Sequence, residues 1–234
     1  MPISTQKTSK FLNDQGFSLL EILVALLLAA LIFVAIPSSE NSRRHQDLQT
    51  AIDDVDRSVR FAASEAVLRN TVVRLRIDLE KSPTEYFVEY GPSENLILPA
   101  MQDETEKDLK EIEEEKKQLA KLDSQFTKVE EFEDITREFP GEVTFMGAMT
   151  TFQKKLIREQ PVSIYFYPTG ERDGALLFFS TQDELATLEI LPFQERTEDD
   201  YYPAPPPQEG EDVGKVDDFL ENKMEEIAKN WLEK

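Results

Sequence analysis

The hydrophobic pattern of this chain opens as a solid block and only later becomes periodic. From Ile22 to Ile36 the run ILVALLLAALIFVAI contains no polar residue. Counted from Phe17 the apolar segment holds 20 residues, a length that rises about 30 Å as a helix and matches a hydrocarbon core. One carboxylate, Glu21, stands in its first turn. Burying that charge in lipid costs about 3 kcal/mol on insertion scales, so it needs a partner or a water-lined site. Pro37 cannot donate to the residue four back and ends or kinks the span. Beyond it Leu48, Ile52, Val55, Val59, Ala62, Ala63, Ala66 and Val67 recur at three and four. That spacing predicts a second helix from residue 39 or later to about Asn70, buried along one stripe. Asn70 suits its end, because Asn tolerates the left-handed conformation that closes a helix.

After Asn70 the period becomes two. Residues 72–78 alternate apolar and polar as a half-buried strand does, and 85–90 form a second strand. Gly91-Pro92-Ser93 makes a turn before a short strand at 96–98, and four more strands are expected at 142–146, 162–167, 175–180 and 185–191. A turn runs from Pro168-Thr169-Gly170 through Asp173-Gly174. The economical arrangement is α+β, with the long N-terminal helix beside an antiparallel sheet or two-layer β body.

Two segments stand outside that plan. Residues 103–138 carry 14 acids and 7 bases, with Leu109, Ile112, Leu119, Leu122, Phe126 and Val129 near helical or heptad spacing. Asp103–Lys107, Glu106–Lys110 and Glu113–Lys117 place acid before base at i,i+4, the supportive orientation. An inserted amphipathic helix of about five turns is expected there. It lies on its own body as a lid, docks a neighbouring subunit, or stays disordered. Residues 195–214 are rich in acids and proline and read as an extended linker. A C-terminal helix is expected over 215–234, with Val216, Leu220, Met224, Ile227 and Trp231 along one side. It either docks into a groove on a partner or folds back on its own domain.

Composition narrows the function. The chain has 234 residues, no cysteine and a net charge of −21. Disulfides and thiolate metal sites are therefore excluded. A phosphate-backbone partner needs Lys and Arg on one face, so no nucleic-acid partner is expected. Lys7 and Lys10 precede the apolar span and the remainder is strongly acidic, which favours a cytoplasmic N-terminus and an extracytoplasmic body. No catalytic set emerges. The single histidine, His45, lies in the polar stretch Ser42-Arg43-Arg44-His45-Gln46 and reads as a solvated residue. Carboxylates are so abundant that a paired-acid proposal is unspecific.

The N-terminal residues resemble those of type IV pilins and type II secretion pseudopilins. An ordinary secretory signal has its small-residue cleavage site after the apolar core, whereas Gly16 comes before it. The resemblance implies a leader over 1–16, removed by a prepilin peptidase after Gly16, and N-methylation of the new terminus at Phe17. It also implies that Glu21 neutralises the α-ammonium of a neighbouring subunit, a buried pair that sets register more than it adds stability. Residues 17–37 would be the membrane-spanning and filament-core helix, lined by Phe17, Leu20, Ile22, Leu26, Leu31 and Ile36.

A finer resemblance is carried by residues 60–75, RFAASEAVLRNTVVRL, and by Ile164-Tyr165-Phe166-Tyr167-Pro168-Thr169-Gly170. These are similar to the helix-to-strand junction and the late strand and turn of H-type minor pseudopilins, the GspH/FimT-like group. Residues 38–194 would then be a periplasmic pilin-like α+β domain interrupted by the insert. The implied function is a minor pseudopilin near the tip of the type II secretion pseudopilus, and the alternative is a minor pilin of a type IV pilus. Implied partners are other pilins or pseudopilins of the filament, the prepilin peptidase, the inner membrane and its assembly platform. The implied location is the bacterial inner membrane, single-pass, with the C-terminal domain in the periplasm. No cofactor or metal is expected. Some pseudopilins bind calcium through acids and carbonyls, but neither Glu171–Asp173 nor Asp199-Asp200 has a spacing that specifies a site.

Overall fold

The computed structural model describes residues 18–35, 40–92, 109–130, 136–151, 153, 155–205 and 214–232. The expected leader, Phe17, Ile36, Pro37 and the short strand at 96–98 lie outside the described residues. The chain divides into two units, Met1–Glu40 and Asn41–Lys234. The first contains helix α1, Leu19–Ala35. The second is an α+β body with antiparallel sheets.

Helix α2, Glu40–Arg69, organises that body. Its buried stripe is Leu48, Ala51, Ile52, Val55, Val59, Ala62 and Ala66. Val67, expected in the stripe, is exposed instead, because the helix closes there. Asn70 adopts φ 51°, its N–H donates to Val67 O at 3.4 Å, and Thr71 N–H donates to Ala66 O at 3.2 Å. Those two bonds are the Schellman pattern that satisfies the last carbonyls of a helix.

Two antiparallel sheets follow. The first runs in the order β3-β2-β1-β6 with β4 also on β2, built from β1 Val73–Asp78, β2 Glu85–Tyr90, β3 Thr127–Lys128, β4 Arg137–Glu138 and β6 Val162–Phe166. The second runs β5-β7-β8-β9, from β5 Thr144–Thr150, β7 Ala175–Ser180, β8 Glu184–Ile190 and β9 Glu198–Pro203. One face of each sheet joins the α2 stripe in a single core. Val73, Leu75, Ile77, Ile164 and Phe166 come from one sheet, and Phe145, Leu177, Phe179 and Leu188 from the other. A bulge in β5 between Phe145 and Gly147 needs its glycine. Gly147 has φ +150°, and a Cβ there would meet Ile157 O at 2.5 Å.

The opposite faces are covered differently. Strand β7, ALLFFS, is buried on both sides, as a strand without polar alternation must be. Its outer residues Leu176 and Phe178 pack with Met149 and Leu185 against Leu220, Met224 and Ala228 of helix α4, Gly214–Leu232. The C-terminal helix thus folds back on its own body. Trp231 Nε1 donates to Glu189 Oε1 at 2.8 Å, and Arg158 Nη2 donates to Glu225 Oε1 at 3.0 Å.

Two expectations change here. Within 103–138, only Leu109–Asp123 (α3) is described as helix, and Thr127–Lys128 and Arg137–Glu138 pair with β2. Phe126 and Val129 therefore flank an edge strand on either side, although their spacing suits a helix. Within 195–214, Glu198–Pro203 is a six-residue strand on β8 rather than linker.

The outer face of the first sheet carries a buried ion network where α3 ends. Arg74 is 1% exposed. Its Nε donates to Glu89 Oε2 at 2.6 Å and its Nη1 to Asp123 Oδ1 at 2.5 Å, while Arg76 Nη1 reaches Asp123 Oδ2 at 2.7 Å. The guanidinium also lies 3.9 Å from the Phe126 ring centroid. Arg74 and Glu89 stand directly opposite on β1 and β2, so the register itself creates the pair. Burial alone would push the Asp123 carboxyl up, but the Arg76 and Arg74 guanidiniums outweigh it and hold it below the ordinary value.

Arg74→Ala should leave the buried Glu89 carboxylate without its guanidinium partner and lower the unfolding free energy by about 3–5 kcal/mol. The double change Arg74→Met/Glu89→Leu should recover most of that loss in urea unfolding of the full chain. A depressed carboxyl stabilises above its unfolded pKa and loses that contribution as pH falls through the folded value. Amide protection factors in the last turn of α3, corrected for the pH dependence of intrinsic exchange, should therefore stay high at neutral pH and fall below about pH 4. Asp123→Asn should have low protection at pH 7 and show no such acid step.

Candidate functional site

The N-terminal unit offers the chain's most distinctive chemistry, a carboxylate at the head of an apolar helix. Ser18 begins it. Glu21 N–H donates to Ser18 Oγ at 3.2 Å and to Ser18 O at 3.0 Å, and Ile22 N–H donates to Ser18 O at 3.2 Å. Ser18 is thus the N-cap of α1, and Glu21 occupies the third helical position. That Ser-x-x-Glu spacing is the sequence signature of a capping box, and its serine half is formed here: the serine oxygen satisfies an orphan N–H of the first turn. A carboxylate there also lies in the positive field of the helix N-terminus. Sequence reasoning selected Glu21 and passed over Ser18, although the four-residue signature preceding an apolar run was there to be read.

Beyond the cap, α1 is apolar on every side. Leu20, Ile22 and Leu26 are 73%, 52% and 65% exposed, and Glu21 is exposed with them. A helix that is hydrophobic all round requires cover from lipid or from other helices. Among the described residues no helix is long and apolar enough to cross a membrane. Helix α1 is described over 17 residues, rising about 26 Å. Leu31 lies on the α1 backbone, while Gly16, Phe17 and Ile36 lie outside the described residues.

The other polar candidates resolve into structural contacts. His45, expected to be solvated, sits in the first turns of α2. Its Nδ1 is 2.7 Å from Glu184 Oε2 on β8, and its ring centroid is 5.2 Å from that of Tyr201. It ties the start of α2 to the second sheet. Asp173 does not join Glu171 in a chelating pair. It accepts from Tyr165 N–H at 3.2 Å and Tyr167 Oη at 3.3 Å. Burial pushes its carboxyl up, with the Tyr165 N–H and Tyr167 hydroxyl pulling the other way. Asp199 and Asp200, adjacent on β9, alternate across the sheet. Among the described residues no group of three or more His, Asp or Glu is placed to hold a metal.

Loss of the cap should be measurable by itself. Ser18→Ala should cost the first turn of α1 about 1 kcal/mol, read as roughly fivefold faster amide exchange at Glu21 and Ile22 in detergent micelles. Ser18→Asp, which can still accept, should keep the parent rates.

Residues 12–37 match the family described as the prokaryotic N-terminal methylation motif. No curated protein and no solved structure shows significant similarity to the chain. The matched stretch contains Gly16, Phe17, Ser18 and Glu21 and runs through α1 to Pro37. That motif family is structural rather than enzymatic. The match supports a type IV pilin-like protein whose N-terminus is of the kind that is methylated and assembled with other pilins.

Proposed function

We propose that the chain is a minor pseudopilin, a structural subunit of the type II secretion pseudopilus near its tip, supporting export of folded proteins across the outer membrane. The observation that carries this reading is the coincidence, within residues 12–37, of the methylation motif with a capped, all-round apolar helix that begins at Glu21's turn. In this role Gly16 and Phe17 flank the cleavage site and Phe17 receives the methyl group. Residues 17–37 are stored in the inner membrane and then pack in the filament core. The body from residue 38 onward lies in the periplasm, and prepilin peptidase and the assembly platform handle the N-terminus.

Glu21 then has two tasks that do not compete. Its backbone N–H is engaged by Ser18, while its carboxylate is exposed and free to meet the α-ammonium of a neighbouring subunit. Two opposite charges brought together out of water fix register, because a slip by one residue leaves both unpaired at several kcal/mol each, on the order of 3–5 for breaking such a pair. The methylation motif is common to pilins and pseudopilins, so a minor pilin of a type IV pilus stays the alternative. Its DNA-uptake form is disfavoured by the net charge of −21.

N-terminal peptide mass spectrometry on protein purified from membranes should find a chain beginning at N-methylated Phe17. A chain still beginning at Met1 or Pro2, in a host with active prepilin peptidase, rejects the reading. Glu21→Ala should abolish incorporation into filaments while membrane insertion persists. Loss of secretion, rather than of twitching or transformation, selects the pseudopilus.

A further inference from the structure

The body contains one long sheet edge that is open among the described residues. At the other end of the second sheet, the outer side of β5 is occupied by Ile157, which exchanges backbone bonds of 3.0 and 2.8 Å with Ala148. In the first sheet, the outer side of β6 is met by the turn that follows it. Asp173 N–H donates to Tyr165 O and Tyr167 N–H to Glu171 O, both at 2.9 Å. Strand β9 ends the second sheet, and among the described residues no backbone partner lies beyond it.

Which groups face outward follows from the ladder. Ala204 N–H donates to Asp183 O at 2.8 Å, one step past the pair Glu184↔Pro203. In an antiparallel pair, hydrogen-bonded and non-bonded positions alternate. Tyr202, Asp200 and Glu198 therefore turn their backbone groups to β8. Asp199 and Tyr201 turn N–H and C=O outward, and Pro203 turns out its carbonyl alone. Proline here has its missing donor on the free side, the position an edge strand allows it. The side chains of this edge are acidic, with Glu198, Asp199 and Asp200 exposed.

We propose that β9 is a docking edge that takes an extended, lysine- or arginine-bearing strand of another protein by β-augmentation. The outward amides and carbonyls of Asp199 and Tyr201 supply the ladder, and the three carboxylates select a basic strand over other strands. A second copy of this chain is the wrong occupant. It would bring three more carboxylates to the same edge, and like charges on adjoining strands repel. The edge is thus closed to self-pairing and open to a basic partner. This inference uses the body alone and does not depend on how the N-terminus is processed.

The test uses the full chain in detergent micelles and a fluorescein-labelled octapeptide of alternating lysine and valine. Fluorescence anisotropy should show saturable binding. The same peptide N-methylated at every residue keeps its charge but cannot donate, and it should bind at least tenfold more weakly. Amide exchange at Asp199 and Tyr201 should slow in the complex, and Asp199→Lys/Asp200→Lys should remove binding. Equal affinity for both peptides would mean general attraction to an acidic protein and would overturn the proposal. So would an absence of binding, protection that spares Asp199 and Tyr201, or dimerisation of the chain through β9.

Discussion

The stripe of small and β-branched side chains along α2 is the contact on which the body depends. Two sheets with no ladder between them turn their inner faces to it, and the result is one core rather than two. Small residues matter in that role. Ala51, Ala62 and Ala66 are fully buried, letting the helix backbone approach the sheets closely while Leu48, Ile52, Val55 and Val59 fill the space between. Ser58 is buried among them without penalty, because its hydroxyl returns to Asp54 O at 2.8 Å. The polar face of the same helix is laced by local pairs, Arg60 with Asp56 and Arg69 with Glu65, which are worth little individually.

The two sheets differ on their outer faces, and the difference is written in their strands. Strand β1, VRLRID, alternates, so its outer face is polar and is completed by an ion network around Arg74. Strand β7 has no polar alternation and requires a second apolar cover, which α4 provides. An uncovered Leu176 and Phe178 would have been a large apolar patch, so the β7 pattern required a cover without naming the element that supplies it. The helix closure at Asn70 and the bounds of β2 and β7 were legible for the same reason, a local pattern that agrees with its tertiary surroundings.

Other parts were illegible because no local pattern records them. Strand β9 reads EDDYYP. Three acids and a proline have low strand propensity, and what makes it a strand is the ladder offered by β8. Strands β3 and β4 have two residues each, too short for any period to show, and Phe126 and Val129 fell by chance on the helical spacing of α3. His45 and Glu184 are 139 residues apart in sequence, so their contact exists only once α2 lies on the second sheet. At the N-terminus the reverse holds. Glu21 and the apolar run were plain in the sequence, since both the cap and the hydrophobic block are local. Ser18 is equally local, since the N–H it caps belongs to Glu21 itself.

Charge and hydrophobicity are segregated between the two units to an unusual degree. The N-terminal unit has a helix with one ionisable side chain, Glu21, while the full chain carries −21. Bodies of like charge repel one another over about a Debye length, ~8 Å at physiological ionic strength, so they contribute little attraction between copies. In the proposed filament, cohesion then rests on the apolar helix and orientation on the single carboxylate at its head. The proposed docking edge of the body favours a partner of opposite charge. The buried cation Arg74 cannot serve, being enclosed by Glu89, Asp123 and Phe126. On the proposed readings, cohesion belongs to the apolar helix and selectivity to the acidic edge of the body.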